Sequence, residues 1–194
     1  MLPTIEPHLP LRPLFVSDFH VLQEAGVFHR SEQVELLLGA VVQRTPWEDT
    51  SDRAVEWLHR HFEPALRDGG LRALWDEPLS LPASLSEVHP TFALVAPGAH
   101  PRRPDVRLVV DVCDGPCWTE YTHKARAYAE AGVGEYWLVD TAFRLVYQHR
   151  LPGEHGFGMR LLTPPGKTFE CGTVPCAGVD PGVLLDAVCG PEPV

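Results

Sequence analysis

The stretch PDVRLVVDVCDGPCWTEYTHKARAYAEAGVGEYWLVD, residues 104–140, reads as a buried strand, a turn, a helix and a second strand. Its first run, Val106–Cys113, is almost continuously apolar and β-branched, the composition of a strand covered on both faces. It nevertheless carries Asp111 near its end. A carboxylate taken out of water requires a cation, a hydrogen-bond network or a metal, so Asp111 should have one of these. After the Gly115-Pro116 break, Thr119 is expected to cap a helix over residues 119–131. Glu120 falls in its first turn, and Lys124 and Tyr128 share one face. Gly132 reads as the helix stop, and Glu135–Asp140 (EYWLVD) as an aromatic and aliphatic strand. A carboxylate at a strand end thus faces a lysine on the next helix.

Outward from this unit, residues 1–15 are proline-rich and read as an extended arm. Ser17 is expected to cap a short helix, residues 18–24, that stops at Gly26. VELLLGAVVQR, residues 34–44, reads as a β-hairpin around Gly39, with Glu35 its one acidic residue. Residues 49–63 show helical spacing of Val55, Leu58 and Phe62, ended at Pro64. His59 and His61 lie on different sides of that helix and read as ordinary surface histidines. An irregular strand over 71–81 and a strand over 91–95 follow, the latter with Thr91, Ala93 and Val95 on one face. Downstream, 143–149 continues as a strand, and residues 156–163 and 167–171 as a further hairpin. The tail, 171–194, is expected to be mostly loop within the same domain, with one apolar segment at 183–188.

At 194 residues the chain suits one domain with a sizeable core. Its formal net charge of -10 argues against an extended nucleic-acid-binding surface. A local basic patch or a bound divalent cation can still act inside an acidic protein. The densest basic stretch holds His100, Arg102 and Arg103, followed by Arg107; it reads either as phosphate contacts or as a solvated loop balancing the acidic surface. The first residues lack an apolar run of signal-peptide length, and no stretch approaches a membrane span. A cytoplasmic protein with five reduced cysteines is expected. The Cys113/Cys117 and Cys171/Cys176 pairs lack the spacing of zinc knuckles, and Cys113 is expected to line the site beside Asp111.

The run LVVDV at 108–112, the thirteen-residue step from Asp111 to Lys124, and the K-x3-Y-x3-GV-x-EYWLVD pattern ending at Asp140 resemble the Uma family of bacterial restriction endonucleases. That family sits within the PD-(D/E)XK nuclease superfamily. The resemblance implies an α/β (α+β) fold over about 16–170, a restriction-endonuclease-like mixed sheet flanked by helices. It also implies metal-dependent hydrolysis of DNA phosphodiester bonds. Asp111 and the Thr91 position would bind Mg2+ or Mn2+, Lys124 would orient water or hold transition-state charge, Tyr128 would support either group, and Glu35 would be a further site carboxylate. On the residues alone, Glu35 reads equally as a glutamate on the wetter strand face. Enzymes that cut both strands of a duplex commonly use two sites, so a homodimer is expected, with 183–188 as its apolar patch.

Several positions depart from the family pattern. Asp111 stands for a glutamate, Pro90-Thr91 for an upstream Pro-Asp, Leu38 for an aspartate and Ser51 for a histidine. Pro104-Asp105 is no substitute, because Asp105 lies six residues before Asp111 on one strand, roughly 20 Å away. Magnesium favours carboxylate oxygens, so these departures imply weak metal binding and weakened catalysis. A second reading follows from them: a catalytically silent nuclease-fold protein that binds nucleic acid or a protein partner.

Overall fold

A computed structural model describes residues 11–29, 31–44, 47–68, 70–97 and 105–191. In chain order its elements are α1 (Val16–Glu24), β1 (Val34–Leu37), β2 (Ala40–Gln43), α2 (Asp49–His61), α3 (Glu63–Arg67), β3 (Arg72–Leu74), β4 (Leu79–Leu81), β5 (Ser86–Val88), β6 (Phe92–Val95), β7 (Val106–Cys113), α4 (Ala125–Glu130), β8 (Glu135–Asp140), β9 (Leu145–Gly153), β10 (Gly156–Leu162) and α5 (Pro181–Cys189). A π-helical turn, Glu120–Lys124, runs directly into α4.

The apolar run of β7 has neighbours on both sides, in a six-stranded sheet of order β10-β9-β8-β7-β6-β3. Strands β2-β1-β5-β4 form a second, four-stranded sheet. β7 pairs in parallel with β8, Asp111 opposite Leu138, and antiparallel with β6. A parallel neighbour requires a crossover, which the π turn and α4 supply. Leu108, Val110 and Val112 face Ala54 and Leu58 of α2 and Leu184, Leu185 and Val188 of α5. Val109 and Cys113 face the other way, toward Ala125, Ala127 and Tyr128 and toward Leu37, Leu81 and Val88 of the small sheet. The two-residue period of a strand therefore turns Asp111 toward the helix and the small sheet.

The β1–β2 hairpin forms as its sequence demands. Leu38 and Gly39 both have positive φ, +50° and +80°, which is the two-residue turn whose twist suits a hairpin. A Cβ on Gly39 would meet Pro13 Cβ at 2.6 Å, so glycine is required there sterically as well. Leu38 is thus a turn position with a left-handed backbone, which Asp tolerates better than Leu.

Elsewhere the structure corrects the sequence reading. Phe15, and not Ser17, precedes the first helical residue of α1, and Asp18 accepts the Phe15 N–H at 3.1 Å. Thr119 is already helical, at φ -64° and ψ -44°, because Tyr121 N–H bonds the Cys117 carbonyl at 2.9 Å and starts the helix earlier. Residues 71–81 divide between two sheets as β3 and β4, and β5 was not anticipated. The hairpin expected over 156–171 is instead β9–β10, with Leu162 opposite Tyr147; residues 167–171 contribute a single bridge, Phe169 with Val179. Cys113 and Cys117, expected as thiols, are joined in a disulfide.

The tail is helical at its apolar segment. Asp180 caps α5 by accepting the Gly182 N–H at 2.8 Å, and Leu184, Leu185 and Val188 are fully buried in the core with α2. The residues expected to form a patch between two copies are therefore consumed within one chain, Val183 alone remaining exposed. Among the described residues no helix is long and apolar enough to cross a membrane. Because Leu184 is sealed in the core, Leu184→Ala should lower unfolding free energy by about 2–5 kcal/mol. Urea denaturation checks this, and a change within experimental error would show that α5 is not part of the core.

Candidate active site

Asp111, at the end of β7, is 3% exposed. Two donors hold it. Tyr128, one turn beyond Lys124, donates its hydroxyl to Asp111 Oδ2 at 3.0 Å. The backbone N–H of Thr91, just before β6, donates to Oδ1 at 3.3 Å. Lys124, also 3% exposed, sits on the same helix face as Tyr128 and places Nζ 3.2 Å from Glu35 Oε1 of β1. Glu35 Oε2 in turn accepts the His89 backbone N–H at 3.2 Å. Glu35 is thus buried beside the lysine and does not lie on a wet strand face. Lys124, itself buried, takes Glu35 as a close partner.

Charge is unequal in this space. Burial alone would pull the Lys124 pKa down, but Asp111, Glu35 and Glu120 together outweigh it and hold the ammonium above its ordinary value. Burial raises the Glu35 pKa; Lys124 and the His89 N–H pull it back only in part, and Asp111 adds to the rise. Tyr128 is raised well above the phenol range by burial and by Asp111, so it remains a hydrogen-bond donor. Three carboxylates thus surround one ammonium, and Glu120, 3% exposed, is the third.

The sequence reading missed several groups that share this space. A narrow cleft of about 20 Å3, room for roughly one water, is lined by Asp111, Thr91, Lys124 and Glu120 together with Arg44 and His89. Burial, then the positive charge of Arg44, lowers the His89 pKa to about 4, and its buried Nδ1 has no hydrogen-bond partner. Arg44 forms an ion pair with Asp76. Neighbouring sequence gives no hint of either residue, except that His89 directly precedes Pro90-Thr91. Ser51 lies in the same lining, so the position where the family has a histidine does border the site. Cys113 does not line the cleft: it belongs to the apolar cluster beneath it, where the disulfide ties the strand end to the start of the helix.

Arg102 and Arg103 lie outside the described residues, and Arg107 is half-exposed and pairs with Asp105 at 2.8 Å. The carboxylate and hydroxyl oxygens here are donors that suit a hard divalent cation. Yet among the described residues no three His, Cys, Asp or Glu converge to hold an ion. Thr91 Oγ1 already accepts the Val112 N–H at 3.1 Å, so its side chain bridges β6 to β7.

A mixed sheet whose central strand presents an acid to a lysine on the crossover helix defines a restriction-endonuclease-like α+β protein. The chain belongs to the Uma2 family, whose model carries the description "Putative restriction endonuclease" and matches residues 16–171. A solved structure from Anabaena variabilis, described as "a putative nuclease belonging to DUF820", superposes with a TM-score of 0.67 at 12% identity, covering 91% of this chain and 99% of that one. At that identity the likeness is one of fold. No curated protein matches the chain.

The pKa shifts carry a testable sign. Glu35 titrates above its ordinary value of 4.5 in the folded protein. The stability it contributes is therefore fully present below the unfolded pKa and is lost as pH rises through the folded one. Glu35→Gln removes this titration, so native stability should fall relative to the variant as pH rises from about 4.5 toward neutrality. Urea midpoints measured across that range test the point, and parallel curves for the two proteins would contradict it.

Proposed function

We propose that this chain is a metal-dependent endonuclease that hydrolyses DNA phosphodiester bonds, with catalysis weakened by a substituted metal-ligand position. The carrying observation is the buried Lys124 ammonium, held by Glu35 and attracted by Asp111, at the end of the central strand of a family described as restriction endonucleases. Asp111 would hold Mg2+ or Mn2+, which would supply polarisation of the phosphate and a lower pKa for the attacking water. Lys124 stabilises the charge that develops on the phosphate oxygens. Tyr128 and the Thr91 N–H fix the orientation of Asp111, and Glu35 fixes Lys124. The excess of carboxylate over ammonium favours a cation at this spot. With a net charge of -10, DNA contact is confined to local basic groups, Arg44 in the cleft lining being one.

One observation favours a silent relative that binds nucleic acid or a protein partner. Thr91 supplies no carboxylate, and its hydroxyl is engaged by Val112, which leaves Asp111 short of a second acidic ligand. Plasmid nicking in Mn2+ and Mg2+ separates the two readings. The native protein should nick slowly and only with metal. Thr91→Asp keeps an acceptor for the Val112 N–H while adding a carboxylate. Combined with Asp111→Glu, it should raise the rate at least about tenfold. In that background Lys124→Gln should cost about 10²-fold, with Tyr128→Phe a milder second probe and folding of each variant verified by circular dichroism. If the native protein and the folded double variant both fail to cut in either metal, the silent reading replaces this one.

A further inference from the structure

A second cleft lies on the same sheet face as Asp111, between the helical segment and the β9–β10 hairpin. Residues 120 and 124 line the first cleft, whereas Tyr121 and Arg126 line this one, opposite His149, His155, Phe157 and Arg160. Its volume is about 360 Å3, within the range that small-molecule ligands occupy. Size does not distinguish it, since clefts of about 400 and 340 Å3 lie elsewhere on the surface. Charge does. Those two are lined by Glu130 and Glu154, and by Glu32, whereas no carboxylate lines this one, in a chain of net charge -10.

The interior of the cleft is built in register. Tyr136, His149 and Arg160 stand side by side on β8, β9 and β10. The His149 ring stacks 5.2 Å from Tyr136 and lies 5.8 Å from Phe157, which fixes its plane. His149 is 5% exposed, and its buried Nδ1 has no hydrogen-bond partner. Burial holds its pKa down to about 4, so at neutral pH it is a neutral ring that adds no charge to the cleft wall. Arg160 lies over the Tyr147 ring, 5.9 Å from its centroid. Arg126 uses Nε on Glu130 at 2.6 Å, leaving its terminal N–H groups for another acceptor.

We propose that this cleft binds a nucleoside monophosphate unit, its phosphate at Arg160 and Arg126 and its base against Phe157. The unit can be free or part of a nucleic-acid strand. Guanidinium groups suit phosphate oxygens, and aromatic faces take a base of any identity. None of these residues lines the Asp111 cleft, so the inference stands apart from the catalytic reading.

Calorimetric titration with dAMP, adenosine, inorganic phosphate and a short single-stranded oligodeoxynucleotide tests it in the absence of divalent metal. dAMP should bind the native protein at least about tenfold more tightly than adenosine or phosphate alone. Arg160→Ala and Phe157→Ala should each weaken it about tenfold, while Arg67→Ala on the exposed face of α3 should not. A strand that binds at least as tightly as dAMP, and is weakened by Arg160→Ala, identifies the source as nucleic acid; dAMP binding without strand binding identifies a free nucleotide. No binding of either ligand, binding of phosphate as tight as that of dAMP, or binding indifferent to both variants overturns the proposal.

Discussion

The structure depends on one unbalanced charge arrangement: Lys124 enclosed with Glu35, Asp111 and Glu120 in a space nearly closed to water. The chain has just two lysines, and one of them is placed here. A lysine suits the position because its ammonium is a compact point charge that several oxygens can approach, where a guanidinium would impose a planar fork. Removing water from such a group is costly unless its partners are fixed, and fixing them engages much of the fold. β7 carries Asp111, the crossover helix carries Lys124 and Tyr128, the β1–β2 hairpin carries Glu35, and the approach to β6 supplies the Thr91 N–H.

A second buried carboxylate in the same sheet shows by contrast what makes this arrangement chemically available. Glu135, fully buried at the start of β8, accepts Trp137 Nε1 at 2.6 Å, Gln148 Nε2 at 2.5 Å and the Gly172 N–H at 2.7 Å. Arg150 Nε adds a cation of its own, 3.4 Å from Glu135 Oε2, and the Gly172 N–H ties the segment after β10 to the sheet. Glu135 is a finished structural joint. The carboxylates beside Lys124 share one cation instead, and Asp111 and Glu120 border the small cleft directly.

Much of this was legible in the sequence because its signals are local. One aspartate in an apolar strand announces a need for partners, and Lys124 and Tyr128 four residues apart must share a helix face, even across a π turn that periodicity does not reveal. What escaped the sequence depends on distant contacts. Glu35 could have faced water or core until the small sheet was seen packed over the helix. His89 and Arg44 have no local pattern that marks them for the site. β5 is three residues long, too short for alternation to register. The tail looked like loop because proline dominates it, yet Asp180 and Pro181 are a helix start, and α2 provides the apolar surface that α5 needs. The second hairpin was set one strand too late because its turn, Gly153 to Gly156, lies within a polar stretch that resembles a longer loop.

The placement of Glu35 far upstream of Lys124 has a consequence for how the molecule assembles. Asp111, Lys124 and Tyr128 belong to one strand–helix–strand unit, and their contacts close short loops. The pair between Glu35 and Lys124 closes a loop spanning much of the chain, and its closing entropy is recovered only when the small sheet packs down. Before that docking, Lys124 is an ordinary hydrated lysine on an exposed helix face. Enclosure of the charges and completion of the core are then the same event, so a chain stalled short of it carries the right residues in the right order without their shared electrostatic field.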